Sequence, residues 1–485
     1  MPETDAGELH GPVNPERAPS APGARVGTAG LGWLGIARLG LVQTSLGAIV
    51  VLTTSTMNRV MVVELALPAM LPGALVALHY AVQLLRPRLG HGSDVGGRRT
   101  PWIIGGMAVL ALGGVGASVA TAWMTTDVAS GVALAVLSFI LIGVGVGASG
   151  TALLTLLAKQ VVPERRGAAA TIVWIMMIVG FIVTAGTVGH FLDPFSPERL
   201  VALTAIVAAL AFVTTVLAVR GIEADRHLYA ATPGSDARAR MQPRAFRAAL
   251  AEVWTDTKAR RFTVFVFMSM LAYSAQDLIL EPFAGTVFGY TPGESTKLAS
   301  VQNGGVLLGM VLVALATGRG TLGRRFGSLE AWTIGGCLAS AAALSALVIG
   351  GHVGAGWPLR TTVFCLGVGN GAFAVAAIGS MMALAGDGPP AREGIRMGLW
   401  GAAQAIAFGA GGFVGAVLSD IARQVSGSAV SGYTTVFGLE AALFIVAAVL
   451  AGRIGVPHPR RPPHAMTALP NPVSPKRYAA ELEGR

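Results

Sequence analysis

The sequence predicts an all-α polytopic membrane protein with twelve transmembrane helices arranged as two six-helix halves. Composition, the number of long apolar windows and internal repetition at one offset carry that expectation. The chain is 53% hydrophobic and 12% charged, with mean hydropathy +0.64, whereas a soluble globular chain has roughly 25% charged residues. Such a deficit of charge exceeds what a large soluble core requires.

Windows of about 20 apolar residues, enough to cross a bilayer, occur twelve times. They cover 39–63, 67–86, 102–124, 131–158, 168–190, 199–219, 262–288, 298–317, 331–350, 359–384, 396–418 and 433–454, and are called spans 1 to 12 here. The hydrophilic stretch from Arg220 to Arg261 is the longest between spans and separates six from six. The expected organisation is a cytoplasmic tail (1–38), an N-terminal half (39–220), a cytoplasmic central loop (221–261), a C-terminal half (262–454) and a second cytoplasmic tail (455–485). Residues 1–30 are polar and rich in Pro, Gly and Ala, without the early apolar core of a signal peptide, so they read as disordered tail.

Lys and Arg decide the orientation. With the N-terminus in the cytoplasm, thirty of the 35 fall on cytoplasmic tails and loops, leaving Arg59, Arg199, Lys297, Arg360 and Arg423 for the opposite side. That asymmetry is the positive-inside signal, and both termini are expected in the cytoplasm. The net charge of +10 is therefore a topology and lipid-surface feature, and no nucleic-acid partner is expected. Arg238, Arg240, Arg244 and Arg247 in the central loop fit a solvated linker slightly better than a surface-lying helix.

Repetition supports two halves. Pro163-x-Arg165-x-Gly167 returns as Pro390-x-Arg392-x-Gly394, 227 positions on, and Trp174 returns as Trp400 after 226. Gly143, Gly145 and Gly147 in span 4 resemble Gly367, Gly369 and Gly371 in span 10. Glycines spaced by four, such as Gly143/Gly147 and Gly411/Gly415, are expected to let helices approach closely.

Between spans 2 and 3 lies a short basic turn containing Gly90, Asp94, Gly97, Arg98 and Arg99. Its Gly-x3-Asp-x2-Gly-Arg-Arg spacing resembles the helix 2–3 loop of the major facilitator superfamily, with Val95 where a basic residue is usual. A degraded copy, Gly323-Arg324-Arg325, follows 226 positions later, with Gly320 in place of the aspartate. The fold expectation is thus major-facilitator-like.

Charges inside spans point to function by default, because each costs a few kcal/mol unless paired, protonated or facing water. Span 7 carries Gln276, Asp277, Glu281 and Pro282, with Asp277 and Glu281 on one helical face. The matching part of span 1 carries Asn58, Arg59 and Glu64, and Arg59 could neutralise one of the acids across the two halves. A structural role at the outer rim, where charge is cheap, explains the same residues equally well. Pro282 and Pro68 are expected to break or kink their helices there. His79 is the histidine placed well inside a span, and imidazole is a good axial ligand for the magnesium of a chlorin. A lone histidine is more often packed or hydrogen-bonded to a neighbouring helix; Gln83 and Gln404 read as helix-joining polar groups.

Cys337 and Cys365 both lie in apolar runs, so neither a disulfide nor a zinc site is expected. Phosphate-binding loops, dinucleotide fingerprints, metalloprotease motifs and nucleophile elbows do not occur. No enzymatic chemistry, metal or nucleotide is expected.

Several strings together resemble the PucC/LhaA family, the bacteriochlorophyll delivery branch of the major facilitator superfamily. They are Arg38-Leu-Gly-Leu-Val-Gln-Thr-Ser-Leu-Gly-Ala, Asn58-Arg59-Val-Met-Val-Val-Glu64-Leu, Arg86-Pro-Arg, Gly92-Ser-Asp94, Gly97-Arg-Arg-Thr-Pro-Trp102 and Gln276-Asp277-x3-Glu281-Pro282-Phe283. The resemblance runs over roughly residues 31–455. It implies a light-harvesting antenna assembly factor of phototrophic bacteria in the inner (cytoplasmic or intracytoplasmic) membrane. Its cargo would be bacteriochlorophyll or a precursor. Its partners would be single-span antenna polypeptides, near the translocation and pigment-synthesis machinery. Two other readings stay open: a proton-coupled transporter of a small solute, and a docking scaffold for antenna polypeptides that never touches pigment.

Overall fold

The computed structural model describes residues 31–86, 98–162, 165–223, 255, 257–317, 328–386 and 393–454. Among the described residues twelve helices follow one another. The N-terminal six are α1 (Trp33–Glu64), α2 (Met70–Leu85), α3 (Thr100–Trp123), α4 (Val128–Gln160), α5 (Arg166–Phe191) and α6 (Pro197–Val219). The C-terminal six are α7 (Thr257–Phe288), α8 (Pro292–Thr317), α9 (Leu329–Val353), α10 (Leu359–Gly386), α11 (Glu393–Ser426) and α12 (Ala429–Ile454). Eleven are long and apolar enough to cross a membrane; α2 is shorter. Several helices outrun their apolar windows, α1 beginning six residues before span 1 and α7 five before span 7. The α7 extension, Thr257 to Arg261, is polar, whereas that of α1, Trp33 to Arg38, is apolar up to its arginine.

The two halves pack alike. In the first, α1 lies against α5 and α6, α2 against α4, and α3 against α4 and α6. In the second, α7 lies against α11 and α12, α8 against α10, and α9 against α10 and α12. Each half has its own apolar core, one built around Phe139, Met107 and Leu110, the other around Phe283, Phe373 and Phe437. The halves meet mainly where α2 packs on α11 and, equivalently, α5 on α8.

Glycine makes these contacts close, as its spacing predicted. A Cβ on Gly143 would sit 2.7 Å from the carbonyl oxygen of His79, and one on Gly411 2.7 Å from that of Leu271. Trp174 and Trp400 occupy equivalent places in sequence but not in environment. Trp174 is exposed, whereas Trp400 is buried with its ring 4.8 Å from Phe262.

Candidate functional site: the polar seam between the halves

At the end of the molecule away from residues 31 and 454, polar groups of α1 and α7 join the halves. Two π-helical stretches, Leu52–Met57 and Val60–Glu64, interrupt α1 and flank Asn58 and Arg59. Such widened turns are uncommon and often mark functional positions. Their i→i+5 hydrogen bonds widen the turn beyond 3.6 residues, which brings residues five apart closer to one face. Arg59 and Glu64, five apart, form the salt bridge that this register favours.

Pro282 lies inside α7, which continues through it from Thr257 to Phe288 without a break, whereas Pro68 lies between α1 and α2. Proline has no amide hydrogen, so the carbonyl four residues earlier loses its helical donor. That carbonyl belongs to Leu278, and the Asn58 side-chain amide donates to it across the halves at 2.7 Å. One turn away, the Ser55 hydroxyl donates to the Glu281 carboxylate. Ser55 and Glu281 are 226 residues apart, the offset of the sequence repeat. Residues related by the pseudo-twofold that touch one another must lie at its axis. Thr56 and Thr296 meet beside them at 3.2 Å.

Arg59, which could neutralise an acid of span 7, does act on Glu281 across the halves. Its ion pair is with Glu64 on its own helix, while the other terminal nitrogen donates to the Tyr290 carbonyl at 2.7 Å. The guanidinium lies flat against α7 because residue 285 is glycine; a Cβ there would come within 2.9 Å of it. Gln276 and Glu281 are buried, and Asp277 is half-buried.

Two carboxylates close the same end, each from one half and each on a helix N-terminus of the other. Asp193 accepts from the Thr291 hydroxyl at 2.7 Å and the Gly293 amide at 3.0 Å, at the start of α8. Asp420 accepts from the amides of Ala69 and Met70 at 3.2 and 2.8 Å, at the start of α2. Each satisfies amides that a helix start leaves open and meets the positive end of the helix dipole. These residues were not singled out from sequence, although Asp193 and Asp420 are 227 apart, the repeat offset already seen in the prolines. Deeper in the seam, the Ser300 hydroxyl donates to the Ile182 carbonyl at 2.9 Å.

His79 does not stand free for a metal. A carbonyl can only accept, so Nδ1 donates to Val76 at 3.1 Å, and Nε2 accepts from the Gln83 amide at 2.8 Å. Both ring nitrogens are engaged, the side chain is buried, and α4 packs on the same turn through Gly143. His79 thus takes the packed, hydrogen-bonded arrangement that a lone histidine within a span most often has.

In the α2–α3 turn, Gly90, Asp94 and Gly97 lie outside the described residues, as does Gly323-Arg324-Arg325. Arg98 is exposed. The Arg99 amide donates to both Glu223 oxygens at 3.0 Å and the Thr100 amide donates at 2.8 Å, so Glu223 caps α3. Partial burial works against the Glu223 charge, but these amide donors and the nearby Arg99 side chain outweigh it. Its carboxyl is held below the usual range.

On the surface where α9 and α10 meet lies an apolar groove of about 690 Å³, lined by Trp332, Gly335, Ala339, Cys365, Gly369 and Ala372. Among the described residues, no cluster of His, Cys, Asp and Glu could hold a metal.

Twelve helices in two equivalent halves, joined by a polar seam, define a transporter-like membrane protein of the major facilitator fold. Solved structures bear this out. The chain is similar to a D-xylose-proton symporter (TM-score 0.65, 14% identity, 87% of this chain and 97% of that one covered). It is also similar to a bacterial homologue of the human lysosomal transporter Spinster in an inward-facing state (TM-score 0.62, 17% identity, 87% and 96% covered). The profile of the PUCC protein family matches residues 56–458, and the chain belongs to that family. Its relatives include the bacteriochlorophyll synthase 44.5 kDa chain of Rhodobacter capsulatus, 56% identical over 87% of this chain and 95% of that protein. Protein PucC of the same organism is 29% identical over 85% of this chain and 90% of that protein.

Proposed function

We propose that this protein is a light-harvesting antenna assembly factor that holds bacteriochlorophyll, or a late precursor, and passes it to single-span antenna polypeptides. The observation that carries the reading is its 56% identity, over nearly the whole length, to a protein named for bacteriochlorophyll. The word synthase in that name is not carried over; the reading here is of a carrier without catalysis. In this reading the excess of Lys and Arg at the end bearing the termini puts both termini in the cytoplasm, and the polar seam faces the opposite side.

The geometry supports a lateral rather than a through-membrane path. A chlorin with a long hydrocarbon tail is more soluble in lipid than in water, so it needs no aqueous channel. The α9–α10 groove is apolar, open at the surface and within the size range of small-molecule sites. A Cβ on Gly335 meets nothing within 4 Å, so its absence leaves room on the groove wall. Single-span antenna helices could approach the same surface. With His79 engaged, the pigment's magnesium would take its axial ligand from water or from the receiving polypeptide.

Deletion of the gene in its phototrophic host tests the reading. Assembled antenna complexes should fall severalfold while bacteriochlorophyll synthesis continues, and a Gly335→Phe chain should restore them poorly. Unchanged antenna levels in the deletion strain would overturn it.

A further inference from the structure

The helix α7–α12 interface contains polar groups that neither the seam nor the pigment reading uses. Phe283 sets the register of these antiparallel helices, its ring lying 5.7 Å from Tyr433 and 5.0 Å from Phe437. Seven residues before Phe283 is Gln276, and seven after Tyr433 is Glu440. Seven residues are about two helical turns, so both side chains return to the shared face at the same deeper level. Gln276 is 0% and Glu440 1% exposed. Among the described residues, neither amide atom of Gln276 and neither carboxylate oxygen of Glu440 has a hydrogen-bond partner.

Buried polar atoms are nearly always satisfied, and an exception calls for a partner. Asp277, next to Gln276 and half-buried, is within electrostatic reach of Glu440 and of the Tyr80 and Tyr273 hydroxyls. The other charged groups nearby serve the seam: Arg59 acts on Glu281 and Tyr433, one and two turns further out, and Arg86 acts on Tyr80. Among the described residues no cationic side chain acts on Asp277 or Glu440. Two neighbouring carboxylates in hydrocarbon without a cation cannot both stay charged.

We infer that Glu440, Asp277 and Gln276 form an intramembrane proton-binding site, entered from the space between the halves through Asp277. One proton from water binds one carboxylate. The bound proton leaves the two carboxylates with one negative charge between them, beside the Gln276 amide. The site adjoins Glu281, one turn along α7, which bonds Ser55 across the pseudo-twofold. Proton occupancy therefore acts on the seam, and the arrangement of the halves responds to it.

The test uses the full-length protein in detergent and dicyclohexylcarbodiimide, an apolar reagent that modifies protonated carboxyl groups. Peptide mass spectrometry should find the adduct on Glu440 or Asp277, decreasing as pH rises and unchanged when sodium replaces choline in the buffer. Acid-minus-alkaline infrared difference spectra should show a carboxyl C=O band that is lost in Glu440→Gln. Modification confined to Glu281, or protection by sodium, would overturn the proposal, the latter in favour of a metal-cation site. A band unchanged in both Glu440→Gln and Asp277→Asn would also overturn it. The wild-type labelling stands even where a variant folds poorly.

Discussion

The side-chain amide of Asn58 donates to the carbonyl of Leu278, the one α7 carbonyl that Pro282 deprives of its helical donor. A defect in one half is thereby repaired by the other, which ties the seam to the proline. Asn58→Leu should strand that carbonyl and cost about 1–3 kcal/mol. Pro282→Ala restores the intrahelical donor and competes for the same carbonyl. Thermal unfolding in detergent should therefore show Asn58→Leu to be less damaging in the Pro282→Ala background than in the native one.

The Arg59–Glu64 pair is unequal: the arginine side chain is 3% exposed and the glutamate 35%. Removing the acid leaves a buried guanidinium charge, whereas removing the arginine leaves an acid that can reach water. Loss of one member of a fully buried pair costs about 3–5 kcal/mol, and solvent at Glu64 reduces that. Glu64→Gln should lower the melting temperature, and adding Arg59→Met should raise it again. A double variant less stable than Glu64→Gln alone would contradict the assignment.

Asp193 and Asp420 tie the halves together at the far end, each from the opposite half. Each replacement by alanine removes a helix cap, at a cost of about 1 kcal/mol, and the two clasps are separate, so their effects should add. A cysteine at Ser300, in a background with Cys365 removed, should react faster with a polar thiol reagent in Asp193→Ala. It should react faster still when both aspartates are replaced. Equal rates in all three proteins would show that the clasps do not control opening.

Glu223 gives the fold a pH-dependent fastening. Its carboxyl is held below the ordinary range by the Arg99 and Thr100 amides acting against partial burial. A group whose folded value is depressed contributes stability above its unfolded value and loses that contribution as pH falls through the folded one. Glu223→Gln should therefore melt lower than wild type at neutral pH, and the gap should close in acid. A gap that widens in acid would reverse the sign.

The fold was largely legible because hydrocarbon leaves few options: twelve apolar windows became twelve helices, and the repeat offset became a pseudo-twofold. The site was legible in part. Asn58, Arg59, Glu64, Gln276, Asp277 and Glu281 stand out as charges and amides where lipid forbids them, and the structure places the first three and Glu281 at one seam. Their pairing was not readable. Helical spacing assumes 3.6 residues per turn, and the π-helical turns of α1 brought Arg59 to Glu64 instead. Asp193 and Asp420 lie at span ends, where charge is cheap and no signal rises above the background except their shared offset. Glu440 sits within span 12 with no charged neighbour in sequence, and only packing against α7 gives it company. Whether the ring nitrogens of His79 are taken was likewise not readable from its place within a span.

An absorption spectrum of the full-length protein, purified in detergent from its phototrophic host, tests the carrier reading most directly. The account predicts a chlorin band that survives size-exclusion chromatography and persists in His79→Ala, whose ring nitrogens are already engaged in the native chain. A colourless wild-type protein, from cells making normal amounts of bacteriochlorophyll, would contradict it.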